Sequence, residues 1–251
     1  MKRIVLLALL ALPVVAQDRF SITAGRYAAD FSTDVRIDPL GTKLHLERDL
    51  FLDRSRKVND FSARWRVFAR HELAASYVSA SRNGLGPITQ EIRFNGRFYP
   101  VSSIAKTTFD TKKWEATYTY WMKNVGLTLG AAGLSIDANV IATSPVSSVT
   151  ISQNAKTSVP VALAGVQTRI AFTDRVTGEA SAAALPHVKI DVYSGRAASA
   201  TVRLEYRITR NLGIGAAYNY FNVDGKVTDP NFGGRLKMTV KGGEGFVRVG
   251  F

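Results

Sequence analysis

Residues 113–122 read Lys-Trp-Glu-Ala-Thr-Tyr-Thr-Tyr-Trp-Met, and their two-residue period decides the fold. The even positions are Trp114, Ala116, Tyr118, Tyr120 and Met122; between them stand Lys113, Glu115, Thr117, Thr119 and Trp121. A pleated strand sends successive side chains to opposite faces, so each set lines one face. The pattern recurs in 200–208, where Ala200, Val202, Leu204, Tyr206 and Ile208 alternate with Thr201, Arg203, Glu205 and Arg207. It recurs again in 61–69, with Phe61, Ala63, Trp65, Val67 and Ala69 against Ser62, Arg64, Arg66 and Phe68. A helix would scatter Arg203, Glu205 and Arg207 around its circumference. These segments are strands.

The whole chain supports an all-β reading. It has 251 residues, 46% of them apolar, with 33 Lys and Arg against 20 Asp and Glu, a net charge of +13, and no Cys. Such an apolar share excludes a disordered chain, and the lack of Cys excludes a disulfide scaffold and Cys-ligated metal. Met1-Lys2-Arg3 followed by the uncharged run 4–15 and small residues before Gln17 reads as a secretory signal peptide over 1–16. The remainder, 17–251, reads as one domain. Its best apolar runs, 125–134 and 160–166, are far short of a spanning helix of ~20 residues.

Alternation alone also suits a soluble barrel or sandwich. Three features point to a membrane. Strand candidates persist for the ~9–11 residues that cross a bilayer at a tilt. Aromatics such as Tyr118, Tyr120, Tyr218 and Tyr220 gather toward strand ends on the apolar face, as an interfacial girdle requires. The chain ends Gly-Phe-Val-Arg-Val-Gly-Phe over 245–251, alternating up to Phe251 with Val247 and Val249 on the same face. That terminal strand resembles the C-terminal signature of bacterial outer-membrane β-barrel proteins, and the chain as a whole is similar to the small OmpA/OmpW-like barrels. The resemblance implies a Gram-negative outer membrane and recognition of Val247, Val249 and Phe251 by the barrel-assembly machinery. It also implies short periplasmic turns, long outer loops and both chain ends in the periplasm.

Four tight polar connections, at 70–72, 123–124, 173–175 and 210–211, then imply ten antiparallel up-and-down strands. They are expected near 19–31, 60–69, 72–81, 109–122, 125–140, 158–172, 176–193, 199–209, 212–223 and 235–251. Eight strands follow if 158–172 is not a separate span, and twelve if the outer connections add a pair. Residues 42–52 (TKLHLERDLFL) and 91–109 keep β-like alternation and read as outer hairpins or strand extensions protruding beyond the bilayer. The apolar parity slips near Gly25-Arg26, Gly133-Leu134 and Gly242-Gly243, as a β-bulge or a strand boundary would produce.

The charged face points inward. A Lys or Arg aimed at mid-bilayer lipid costs ~2–4 kcal/mol, and six of them would exceed a folding free energy of ~5–15 kcal/mol. The expected lumen network is Arg64, Arg66, Lys113, Lys189, Arg203 and Arg207 with Glu115, Glu179, Asp191 and Glu205. Paired with one another across neighbouring strands these form a largely closed core; unpaired, they line a narrow, slightly anion-favouring passage. Of three His, His71 reads as a turn residue beside Glu72, and His45 has Glu47 but no second His for a metal site. His187 shares an expected face with Leu185, Lys189 and Asp191, near Ser194, and is the one candidate for general-base work on lipid. No phosphate loop or dinucleotide fingerprint is present. Arg54, Arg56, Lys57, Arg93, Arg97, Lys106, Lys226 and Lys237 fall in outer segments, suited to lipopolysaccharide phosphates rather than nucleic acid. The reading is a non-enzymatic barrel, structural or a passive solute pore, without cofactor or metal. A surface adhesin and a lipid-modifying enzyme using His187 are the alternatives, and a barrel working alone or in a trimer fits equally.

Overall fold

The computed structural model describes residues 18–38, 43–88, 92–94, 97–99, 101–143, 150–190, 193–228 and 233–251. The expected signal peptide and Asp191 lie outside the described residues. In chain order these residues form β1 (Phe20–Asp38), β2 (Lys43–His45), a four-residue helix α1 (Leu46–Asp49), β3 (Ser55–Phe68), β4 (His71–Pro87), β5 (Ile92–Phe94), β6 (Arg97–Tyr99), β7 (Ile104–Met122), β8 (Val125–Thr143), β9 (Thr150–Ala171), β10 (Val176–Ile190), β11 (Tyr193–Arg207), β12 (Leu212–Thr228) and β13 (Gly233–Gly250).

Ten of these are long, and each pairs antiparallel with its neighbour in the chain. β13 returns to β1 along its full length, from Ser21↔Gly250 to Asp38↔Gly233, so the sheet closes into an up-and-down barrel. The ten expected strands are all present, including the weak 158–172 segment, which is part of β9. The tight turns and both described chain ends lie at one end, the turn end; the long connections lie at the other, the loop end.

The strands run further toward the loop end than expected: β4 continues to Pro87, β7 begins at Ile104 and β9 at Thr150. The reason lies in the two faces. In β7 the odd residues point inward throughout, and the even residues outward. Toward the turn end the outward set is Trp114, Ala116, Tyr118, Tyr120 and Met122; toward the loop end it is Lys106, Thr108, Asp110 and Lys112. The inward set changes the opposite way, from the charged Lys113 and Glu115 with Thr117 to the uncharged Ala105, Thr107, Phe109 and Thr111. β8 repeats this, with Leu127, Leu129 and Ala131 outward below, and Leu134, Ile136 and Val140 inward above.

The change is sharp. Phe61, Tyr77, Trp114 and Gly133 form one outward row across four strands, and the next outward row is Asn59, Ser79, Lys112 and Ser135. One repeat of the pleat, about 7 Å along a strand, separates an aromatic row from a polar one. Below this line the barrel has a belt for lipid; above it the same strands form a barrel with a wet outside and an oily inside.

This corrects the bulge reading at Gly25-Arg26, Gly133-Leu134 and Gly242-Gly243. The registers of β1 with β13 and of β8 with its neighbours run through these positions without a shift. The faces keep their direction and exchange their chemistry. Gly242 has a local role: its φ of +153° and an added Cβ only 1.9 Å from the Ala28 carbonyl oxygen leave no room for another residue. Register shifts occur instead at Arg66/Phe68 and at Leu185/Val188.

Segment 42–52 is also corrected. Its described part is no hairpin but a short strand and one helical turn that complete the wall. β3 pairs with β4 only as far as Asn59↔Ser79, leaving a gap between β1 and β4 toward the loop end. β2 fills it on one side through Asp34↔His45, Val35↔Leu44 and Arg36↔Lys43, and Leu52 bridges Gly84 on the other. An added Cβ at Gly84 would lie 2.3 Å from the Leu50 carbonyl oxygen, so glycine is needed for this approach. Leu44, Leu46, Leu50 and Leu52 turn inward and join Ile88, Phe109, Leu134, Ile136, Val140 and Met238 in one apolar core. The 91–109 region does contain a hairpin, β5 with β6.

Candidate functional site: the lumen

Three layers fill the lumen from the turn end to the loop end. The first is ionic. Arg64 on β3 forms a fork of hydrogen bonds, 2.6 and 2.5 Å, to Glu179 on β10. These strands stand opposite one another in the ring, so the pair crosses the lumen. Arg169 on β9 reaches Glu179 at 3.1 Å and crosses to Glu72 on β4 at 3.3 Å, where Arg66 lies 3.6 Å away. Nearer the turn end Arg248 contacts Glu205 at 3.0 Å and Asp18 at 2.6 Å. Aromatic rings support the cations: Arg169 lies 4.5 Å from the Trp121 ring centroid, and Arg203 4.5 Å from that of Phe246. Removing one member of such a buried network leaves its partner's charge uncompensated.

The second layer is a cavity of about 230 Å³, bordered by Tyr27, Asp60, Lys113, Glu115, Thr201 and Asn219. Lys113 pairs with Glu115 at 2.9 Å and lies 4.8 Å from the Phe221 ring centroid. A smaller cavity of about 50 Å³ lies on the other side of the ionic layer, and Arg64, Glu72, Glu179 and Arg203 line both. The third layer is the apolar core, which closes the loop end among the described residues. Arg82 is wholly buried there, bonded to Glu47 of α1 at 2.6 Å and to the Thr33 hydroxyl at 3.0 Å, and sandwiched between Phe31 and Phe109. In the wall segment beside it, burial works to raise the Asp49 carboxyl. Hydrogen bonds from Arg48 and the His45 backbone more than offset this and hold it below the usual carboxylate range.

Eight of the ten expected network residues therefore have described side chains, and all eight face the lumen: Arg64, Arg66, Lys113, Glu115, Glu179, Arg203, Glu205 and Arg207. In β10 His187 lies within, and Lys189 just beyond, the register shift at Leu185/Val188, where one extra residue interrupts the two-residue count that joined them to Leu185. Val247, Val249 and Phe251 face outward, and Phe251 closes the barrel by donating its N–H to the Phe20 carbonyl at 2.8 Å.

Sequence reading missed Asp18, Asp60, Glu72, Arg169, Glu244 and Arg248. Glu72 is not a turn residue but the second residue of β4, buried and inward. Counting Arg169 with Gln167, and Arg248 between Val247 and Val249, would have found two more. With these included, cations and anions of the ionic and cavity layers among the described residues balance at seven each, and Arg82 with Glu47 adds one of each in the core. The other histidines lie outside the lumen network: His71 Nδ1 lies 2.7 Å from the Tyr118 hydroxyl in the aromatic belt, and His45 Nδ1 2.7 Å from Asp34 in the upper wall.

No family model matches the chain, and neither does any curated protein. Among solved structures it is similar to the outer-membrane protease OmpT of Escherichia coli, with a TM-score of 0.62 at 10% identity over 96% of this chain and 99% of that one. It also matches the attachment invasion locus protein Ail of Yersinia pestis, solved with sucrose octasulfate, with a TM-score of 0.37 at 12% identity over 92% and 99% of the two chains. The toluene transporter TodX of Pseudomonas putida matches with a TM-score of 0.38 at 9% identity over 97% and 94%. The fold is that of the outer-membrane β-barrels, and the apolar belt suits it to that membrane.

Proposed function

We propose that the protein is an integral outer-membrane barrel with a closed lumen, structural and surface-presenting rather than a passive solute pore. The observation that carries this reading is the double closure. Salt bridges between opposite strands cross the lumen at one level, and a packed apolar core fills it at another. A conducting barrel needs a continuous polar, hydrated path. The balanced lumen charge also removes the basis for anion preference. Planar-bilayer recording tests the reading: the purified barrel is expected to give no stable single-channel steps. Steps that vanish on Arg203→Ala would overturn it.

The surface-binding reading has its own support. β4, β7, β8 and β9 continue ten residues past the aromatic row, roughly 25 Å at a rise of ~3.3 Å per residue and a tilt of ~40°. The resulting head has its own core and holds the outer connections on a rigid base. Deleting an outer connection is expected to abolish attachment to a surface ligand while leaving barrel assembly intact. The enzymatic alternative on His187 gains no comparable support, since its premise was an unbroken face through Leu185, His187 and Lys189.

A further inference from the structure

Where β1 meets β3 and β13, the outer surface carries cations at the very edge of the belt. The registers place the outward residues on a grid. Asn59, Arg26, Gly245 and Ala216 form one row; Lys57, Ala28, Gly243 and Tyr218 form the next; Ser55, Asp30, Lys241 and Tyr220 form the third. Just below lie Phe61, Ala24, Val247 and Ile214. All three cations, Arg26, Lys57 and Lys241, are exposed, and no ion pair is formed by them among the described residues. Asp30 stands beside Lys241, which leaves the patch at net +2.

The floor among the cations is smooth. Ala28 and Ala216 are exposed, and a Cβ added to Gly243 or Gly245 would meet nothing within 4 Å. Tyr218 and Tyr220 wall the floor on one side and Phe61 closes it below. Strand spacing puts the Cα atoms of Arg26, Lys57 and Lys241 roughly 8–14 Å apart, within reach of a common group for side chains of this length. Unpaired cations that flank and top a smooth apolar furrow match a molecule with phosphate at one end and acyl chains at the other.

We propose that Arg26, Lys57 and Lys241 form a binding site for a phosphorylated lipid, holding its phosphate while an acyl chain lies over Gly243, Gly245 and Ala28. This deepens the outer-membrane reading and rests on it. Of the eight basic residues first assigned to lipid phosphate, only Lys57 belongs to the patch; Arg56, for instance, is engaged by Asp53 and the Ser81 carbonyl.

The test is native mass spectrometry of the full barrel in detergent, titrated with bis-phosphorylated lipid A and with its dephosphorylated form. The wild type is expected to retain one lipid A and to bind the dephosphorylated form at least ten-fold more weakly. The Arg26→Gln/Lys57→Gln/Lys241→Gln variant is expected to lose ten-fold or more in lipid A affinity. A control triple of exposed lysines away from the patch, Lys112→Gln/Lys123→Gln/Lys156→Gln, keeps wild-type binding. Gly243→Ile, placed where an added Cβ meets nothing within 4 Å, weakens binding by filling the furrow while the barrel stays folded by gel migration. Equal lipid A binding by the patch variant, equal losses in both triples, or retention of the dephosphorylated lipid would overturn the site. So would Gly243→Ile abolishing self-association while leaving lipid binding unchanged. A barrel that remains monodisperse without detergent would instead refute the membrane reading, a separate failure.

Discussion

Below the row of Phe61, Tyr77 and Trp114 the barrel wears its apolar side chains outside and buries its charges; above that row the same strands turn apolar side chains inward and, apart from the buried Arg82, their charges outward. The difference shows what each half answers to. Lipid cannot solvate Arg64 or Glu179, so those groups turn inward and pair. Where water replaces lipid, burying Leu134 and Ile136 lowers the free energy, and Lys112 and Ser135 can face out. Each strand obeys both rules in turn without changing its pleat.

The comparison can be broken in several ways. The largest effect is expected in the ionic layer. Glu179→Gln strips the partner from Arg64 and Arg169 and should cost about 3–5 kcal/mol in equilibrium unfolding from lipid vesicles. A loss near zero would mean that water penetrates the layer and solvates both cations. In the upper half, Leu134→Ala should cost about 2–5 kcal/mol by leaving a cavity. The same truncation at lipid-facing Leu129 should cost clearly less, because acyl chains close over it.

Alternation as in 113–122 or 200–208, with four tight polar turns to count by, was enough to read ten strands, since both halves share one two-residue period. The position of the boundary was not legible in that way. A parity slip near Gly25-Arg26 looks the same in a one-dimensional count whether a residue is inserted or the surroundings change. Only the unbroken pairing Gly25↔Phe246 and Arg26↔Gly245 distinguishes them. Arg26 and Lys241 therefore sat inside expected lipid-facing spans and were overlooked. The wall segment failed differently: Leu44 and Leu46 fit a strand, but Leu46 and Leu50 are four apart, a helical spacing. In the lumen, Arg64 and Glu179 were readable as inward, whereas their pairing was not, because it joins strands 115 residues apart.

Smaller effects sharpen the contrast. Leu204→Arg, in the belt, should cost about 2–4 kcal/mol, against no more than about 0.5 for Ser152→Arg on the outer face of the upper half. Near-equal costs would erase the boundary. The smallest effect concerns the wall segment. Because the folded pKa of Asp49 lies below its unfolded value of ~3.9, its contribution is present above that value. It is lost as pH falls through the folded pKa. Amide protection factors in 43–54 should fall in acid below about pH 4 and be flat from about pH 5 to 8. Loss of protection at neutral pH would contradict the role given to the Asp49 hydrogen bonds.

The boundary itself can be measured directly, since the chain has no Cys and single-Cys variants carry one label each. Spin labels at 106, 108, 110, 112, 114, 116, 118 and 120 along the outward face of β7, in reconstituted vesicles, report collisions with lipid-soluble oxygen and with a water-soluble nickel chelate. The expected result is nickel access at 106–112, oxygen access at 114–120, and a crossover between 112 and 114. Uniform oxygen access along the whole face, or uniform nickel access, would contradict the account.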